Sequence, residues 1–246
     1  MYMKPDGADT GIKIMGILNL TPDSFHEPSR YNMGMLESAA DIVDIGACST
    51  RPGSVPVSEK EEWNRLEPVL RSLPEAHVPI SIDTFRSGIV LRAYDIIGPF
   101  IVNDVSGAAD PRMLPTVREL GLGYVAMHNG PAPDVSVVVE YFRNFSRSLD
   151  GIEWILDPGF GFGKTKEENW NLLRHMDELC VFGRTVLAGV SRKRMTDGTA
   201  ALTRQAHFEA LAHGAGILRV HDVEDARRTV KEFYSTRYTS SPSDEK

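Results

Sequence analysis

The sequence predicts a single-domain α/β protein built as a (β/α)8 (TIM) barrel. Three observations carry that expectation. Eight short apolar runs recur, at 13–18, 41–45, 78–82, 100–102, 123–127, 153–156, 185–188 and 217–220. Segments with helical spacing lie between most of them, and no Pro-, Gly- or Ser-rich linker divides the 246 residues. Short runs rich in Ile and Val read as strands buried on both faces, the mark of a parallel sheet. Strand and helix alternating eight times favour a closed barrel over an open doubly wound sheet.

The elements follow in order. The first run leads into Asn19-Leu20-Thr21-Pro22-Asp23-Ser24-Phe25 and the second into Ala47-Cys48-Ser49-Thr50-Arg51-Pro52-Gly53. Ser58-x-x-Glu61 reads as a capping box opening a helix, whose apolar stripe is Trp63, Leu66, Leu70 and Leu73. Pro68 inside that stripe is expected to kink or restart it. The third run ends at Asp83-Thr84, the fourth at Asn103-Asp104 and the fifth at His128-Asn129. Val138, Phe142, Phe145 and Leu149 give the next helix one buried face. The sixth run opens into Asp157-Pro158-Gly159-Phe160-Gly161-Phe162-Gly163-Lys164, the seventh into Gly189-Val190-Ser191-Arg192-Lys193, the eighth into Arg219-Val220-His221-Asp222. Val223, Ala226, Val230 and Phe233 then form a final helical stripe. The barrel is expected to occupy 11–236, after an N-terminal extension at 1–10 and before a polar, disordered tail at 237–246.

Composition narrows the function. Lys and Arg number 27 against 34 Asp and Glu, a net charge of −7, which argues against a general nucleic-acid binder. The 41% apolar and 25% charged shares describe an ordinary globule with a sizeable core. The N-terminus lacks the apolar run of a signal peptide, and no stretch of about 20 apolar residues exists, so a cytoplasmic protein is expected. Cys48 and Cys180 suit neither a disulfide framework nor metal-ligand spacing.

In such a barrel the chemistry sits at the C-terminal ends of the strands. Asp83, Asn103 and Asp157 are therefore expected at the mouth, facing Arg51, Lys193, Arg219 and His221. Carboxylates and an amide suit a flat heterocycle with adjacent N–H donors, the cations suit a phosphate or carboxylate, and Phe162 can pack against a ring. The combined expectation is a phosphorylated heterocycle. A single Asp or Asn after a strand is ordinarily a cap or turn residue; three at strand ends, with cations opposite, point to a site. The run at 159–164 is no P-loop, because position 158 is proline, and it lacks G-x-G-x-x-G spacing because position 164 is lysine. Asn144-Phe145-Ser146 matches a glycosylation acceptor but lies in an apparent helix. His26, His77, His175, His207 and His213 form no ligand set.

These blocks together resemble dihydropteroate synthase, the folate-pathway enzyme targeted by sulfonamides. They are Ile14-Met15-Gly16-Ile17-Leu18-Asn19-Leu20-Thr21-Pro22-Asp23-Ser24-Phe25, Ser49-Thr50-Arg51-Pro52-Gly53, Ser81-Ile82-Asp83-Thr84, Asn103-Asp104-Val105-Ser106-Gly107, 157–164, Ser191-Arg192-Lys193 and Arg219-Val220-His221-Asp222-Val223. The resemblance implies condensation of 7,8-dihydropterin-6-ylmethyl diphosphate with 4-aminobenzoate to 7,8-dihydropteroate and diphosphate. It implies that Asp83, Asn103, Asp157 and Lys193 line a pterin slot, with Asp83, Lys193 and Arg219 catalytic. It places Thr50, Arg219 and His221 at the diphosphate, Asn19 on a Mg²⁺ ion, and Thr50, Arg51, Pro52, Phe162 and Ser191 around the aminobenzoate. It further implies carbon–oxygen cleavage before amine attack, with Asp83 stabilising the cation, and a homodimer formed on the side of strands six to eight.

The chain departs from the family pattern at four places. The first loop reads His26-Glu27-Pro28-Ser29-Arg30-Tyr31, the helix after it is short, Ala47-Cys48 replace a Gly and a residue commonly Glu, and the connection through Arg194-Met195-Thr196-Asp197-Gly198 is trimmed. The first and seventh βα units are therefore expected to be shortened. Two other readings stand beside the synthase: a catalytically silent pterin-binding relative, and a pterin-dependent methyltransferase domain, which would not be expected to carry all these blocks together.

Overall fold

The computed structural model describes residues 11–20, 40–49, 55–73 and 78–238. In chain order they form β1 (Lys13–Asn19), β2 (Ile42–Gly46), α1 (Glu59–Ser72), β3 (Ile80–Asp83), α2 (Ser87–Ile97), β4 (Ile101–Asp104), α3 (Met113–Glu119) and β5 (Gly123–Met127). There follow α4 (Val135–Phe145), β6 (Trp154–Asp157), α5 (Lys166–Arg174), β7 (Val186–Ala188), α6 (Ala200–Ala212), β8 (Ala215–Val220) and α7 (Val223–Tyr238). The eight strands are parallel, pair in sequence order and close into a barrel, with Lys13 of β1 opposite Ile217 of β8. The expected short helix at 33–40 lies, but for its last residue, outside the described residues. The helix of the seventh unit, α6, keeps 13 residues, after a single 3-10 turn at Arg194–Thr196. At the C-terminus α7 runs on through Tyr238, two residues into the segment expected as tail.

Both faces of the strands are buried, and the side-chain period of two separates their roles. One set, including Ile14, Leu18, Val43, Ile45, Ile82, Val102 and Leu156, joins the main core with the helices. The alternate set begins with Met15, Ile42, Val125, Leu187 and Ile217, a separate apolar cluster with Ile101 and Ile155 packed on it. Full burial of each such side chain is worth about 1.5–3 kcal/mol, so this floor closes the barrel interior. Two residues further along β2, β4 and β8 the set turns polar, with Asp44, Asn103 and Arg219, and Ser81 of β3 joins them. The apolar floor thus supports a polar layer, and the layer supports the mouth.

Local signals are only partly as expected. The Ser58 hydroxyl accepts from the Glu61 N–H at 3.2 Å, but Glu61 gives its carboxylate to Arg65, so the capping box is half made. The complete box is at Thr165 and Glu168, where each side chain caps the other's backbone N–H. Pro68 does not break α1, which continues from Glu59 to Ser72. Proline removes the bond to the carbonyl of Asn64, and both residues are exposed, so that carbonyl is open to solvent.

Candidate active site

The register of four strands sets one edge of the mouth. Asn19 pairs with Gly46, Gly46 with Asp83 and Asp83 with Asn103, so four strand ends stand level. Gly46 keeps the row open: a β-carbon there would lie 3.3 Å from Asp83 Cβ and 3.7 Å from Asn19 Oδ1. Arg219 of β8 reaches across and donates through Nη2 to Asp83 Oδ2 at 2.9 Å. The other oxygen, Asp83 Oδ1, is buried and has no hydrogen-bond partner among the described residues.

Beneath this row lies a residue that the reading of strand ends missed. Asp44, in the middle of β2, is fully buried. Its Oδ1 accepts from Ser81 Oγ at 2.6 Å, and its Oδ2 accepts from Asn103 Nδ2 at 3.1 Å and Arg219 Nε at 2.7 Å. Arg219 Nη2 also lies 2.6 Å from Asp44 Oδ2. The signal was a charged residue inside a run otherwise read as buried on both faces; such a charge needs a partner.

Asp157 ends β6 on the other side. It is buried and accepts from the Gly159 N–H through Oδ1 at 2.8 Å. Lys193 donates to the Phe160 carbonyl, and its ammonium lies 4.7 Å from the centre of the Phe162 ring. Lys164 donates to the carbonyls of Gly159 and Phe162 at 2.9 and 3.2 Å, which folds the loop back on itself. The glycines are dictated by contact. A β-carbon at Gly161 would lie 2.9 Å from Lys193 Cδ, and one at Gly163 would lie 2.8 Å from the Gly130 carbonyl carbon. Both have positive φ, 81° and 65°, where other residues are strained.

Burial tunes these groups. It raises the Asp83 carboxyl above the ordinary carboxylate value, Arg219 opposes the shift, and Asp44, Glu62 and Asp104 add to it. Burial also raises Asp157, against the charges of Lys193, Arg219 and Lys164 and the Gly159 N–H. Lys193 is pulled down to about 8 by burial, with Asp157 resisting. A carboxyl shifted up beside an amine shifted down favours sharing a proton with a ligand's polar edge.

The remaining expected residues divide. Ser191 Oγ lies 3.1 Å from His221 Nδ1, which joins the seventh and eighth strand ends. Thr50, Arg51 and Pro52 lie outside the described residues, as do His26–Tyr31. Ala47 and Cys48 are buried, and the Ala47 carbonyl accepts from Arg65 Nη1 of α1 at 3.1 Å. Asp104 shapes a loop: it accepts from Tyr124 and from the N–H groups of Ser106 and Ala108. His128 packs edge-on against Tyr141 and is held down to about 4, by burial and by the charge of Lys164. Among the described residues no three His, Cys, Asp or Glu side chains could hold a metal ion by themselves. No described helix is long and apolar enough to cross a membrane.

Comparison with known proteins gives the family. The model of the pterin binding enzyme family matches residues 15–221. The dihydropteroate synthase of Neisseria meningitidis serogroup C is 38% identical over 260 aligned positions, covering 90% of this chain and 91% of its own. Among solved structures, Xanthomonas albilineans dihydropteroate synthase with 4-aminobenzoic acid superposes with a TM-score of 0.82 at 34% identity, covering 94% of each chain. Burkholderia cenocepacia dihydropteroate synthase complexed with 7,8-dihydropteroate gives a TM-score of 0.82 at 30% identity, covering 95% of this chain and 94% of the other. With the strand-end carboxylates, amide and cations gathered at one mouth, the chain belongs to the pterin-binding enzyme family, among the dihydropteroate synthases.

Proposed function

We propose that this mouth condenses 7,8-dihydropterin-6-ylmethyl diphosphate with 4-aminobenzoate, releasing diphosphate and forming 7,8-dihydropteroate. The observation that carries the reading is the convergence of Asp83, Asn103, Asp157 and Arg219, from four strands, with Lys193 from the loop after a fifth, above one apolar floor. Asp157 accepts the pterin's amino and ring N–H pair, and Lys193 donates to the acceptor edge. Asp83 Oδ1, buried and unpartnered among the described residues, accepts from the pterin and stabilises positive charge that develops as the carbon–oxygen bond opens. Arg219 and His221, with Thr50, bind the departing diphosphate. Phe162 and Ser191, with Thr50, Arg51 and Pro52, frame the aminobenzoate, whose amine then attacks the exposed carbon.

The residues fit a magnesium ion that is held mainly by the substrate. Asn19 presents an amide oxygen beside the gap that Gly46 leaves, and among the described residues no cluster of protein ligands competes for the ion. Mg²⁺ retains waters and phosphate oxygens in preference to an all-protein cage. When bound, it neutralises charge on the leaving diphosphate. A chelator should therefore weaken binding of the diphosphate substrate far more than binding of a pterin without diphosphate. A homodimer through α5, α6 and α7, cytoplasmic residence and competition by sulfonamides belong to the same reading. Chromatographic detection of 7,8-dihydropteroate from both substrates tests it, and a folded protein that forms none is the silent relative instead.

A further inference from the structure

We propose that Asp44 is a positioning residue for the pterin-diphosphate half of the site, acting through Arg219 and Asn103 without touching substrate. This rests on the synthase reading for the roles of those two residues. Asp44 accepts from three other strands at once: Ser81 on β3, Asn103 on β4 and Arg219 on β8. Ser81 belongs to the neighbouring strand, whereas Asn103 and Arg219 come from strands that do not pair with β2. Their chain separations from Asp44 are 59 and 175 residues, so no local element fixes either side chain relative to the other. Asp44 does so through one shared oxygen.

The geometry also assigns a division of labour. Nε and Nη2 of Arg219 both lie on Asp44 Oδ2, and the same Nη2 reaches Asp83 Oδ2 at 2.9 Å. Two acceptors on one edge of a planar guanidinium fix its plane as well as its position. Without Asp44 the guanidinium retains Asp83 alone and is free to turn about that contact. Asn103 then loses the acceptor that orients its amide. Of the aminobenzoate residues, Phe162 and Ser191 are among those described, and their contacts with Lys193 and with His221 are made apart from Asp44.

The experiment compares Asp44→Asn with the unaltered enzyme, after thermal denaturation has established that it folds. Calorimetry reads the affinity for inorganic diphosphate and for a pterin without diphosphate, and kinetics read KM for each substrate. Loss of hydrogen bonds to a charged group should weaken diphosphate binding about 10- to 100-fold. KM for the pterin diphosphate should rise and kcat fall, while KM for aminobenzoate stays as in the unaltered enzyme. Equal changes in both KM values, or in neither, would mean a merely structural role and overturn the proposal. Should Asp44→Asn not fold, Ser81→Ala leaves every charge in place and unties only Oδ1. It should then show the same split with a loss of about fivefold, and an unchanged Ser81→Ala enzyme would overturn the proposal. The two calorimetric readings require no turnover. Tight ligand binding without product in the unaltered protein would fail the synthase reading while leaving the test of Asp44 intact.

Discussion

The α-carbon of Gly159 sits so close to the carbonyl of His128 that a β-carbon on it would lie 1.9 Å from that oxygen. The two residues follow the ends of neighbouring strands, β5 and β6, where the His128 N–H donates to the Asp157 carbonyl at 3.0 Å. Backbone cannot move aside as a flexible side-chain end can, and Gly159 also has a φ of 73°.

Gly159→Ala should therefore displace the end of β6 and with it the carboxylate of Asp157. A loss of several kcal/mol of stability, or a folded protein with weakened pterin binding, is expected from clash and strain together. Chemical denaturation and calorimetry on the same preparation check this. A variant with unaltered stability and pterin affinity would show that the contact is relieved at no cost.

Strand ends were legible because a strand buried on both faces tolerates polar residues mainly where it enters the mouth. Asp83, Asn103 and Asp157 stood out for that reason, and β3, β4 and β6 each carry one of them. Asp44 did not stand out, because its partners lie on β3, β4 and β8, and one strand's periodicity says nothing about what crosses the interior. The capping box was read at Ser58, where Arg65 takes the glutamate, and missed at Thr165, where nothing competes. The restart expected at Pro68 does not occur, since α1 runs unbroken from Glu59 to Ser72 with the proline on its exposed face.

On the proposed reading Asp157 faces two N–H donors of the pterin, and Asp157→Asn puts in its place an amide with one acceptor and one mismatched donor. Pterin affinity should fall by about 2–4 kcal/mol, measured by calorimetry. An unchanged affinity would remove Asp157 from the slot.

Lys193 should limit activity at alkaline pH. Burial lowers its ammonium to about 8, so the positive charge that the proposed pterin contact uses is lost above that value unless ligand binding holds the proton. kcat/KM, which reports the free enzyme, is expected to decline above about pH 8. A flat profile to pH 10 would show that the charge on Lys193 is dispensable.

Stability should fall in acid because of His207. It is 2% exposed on α6, neither ring nitrogen has a hydrogen-bond partner among the described residues, and burial lowers it from 6.5 to about 4. A depressed histidine contributes its full stability above pH 6.5 and loses it as the unfolded chain takes up the proton between 6.5 and 4, about 3 kcal/mol in all. His207→Leu should show a smaller decline in unfolding free energy between pH 7 and 4.5, and an identical decline would exclude His207 as its source.

The changed segments at 26–31 and 47–48 flank the loops expected to close over diphosphate and amine, whereas the chemistry rests on strand ends. Catalysis should therefore survive, with the alterations showing in KM for aminobenzoate. Diphosphate release from the pterin diphosphate, measured with and without aminobenzoate on purified protein, tests this most directly. The account predicts release that rises with aminobenzoate and matches 7,8-dihydropteroate formed. A folded protein that binds the pterin diphosphate but shows no stimulated release, even at millimolar aminobenzoate, would contradict it.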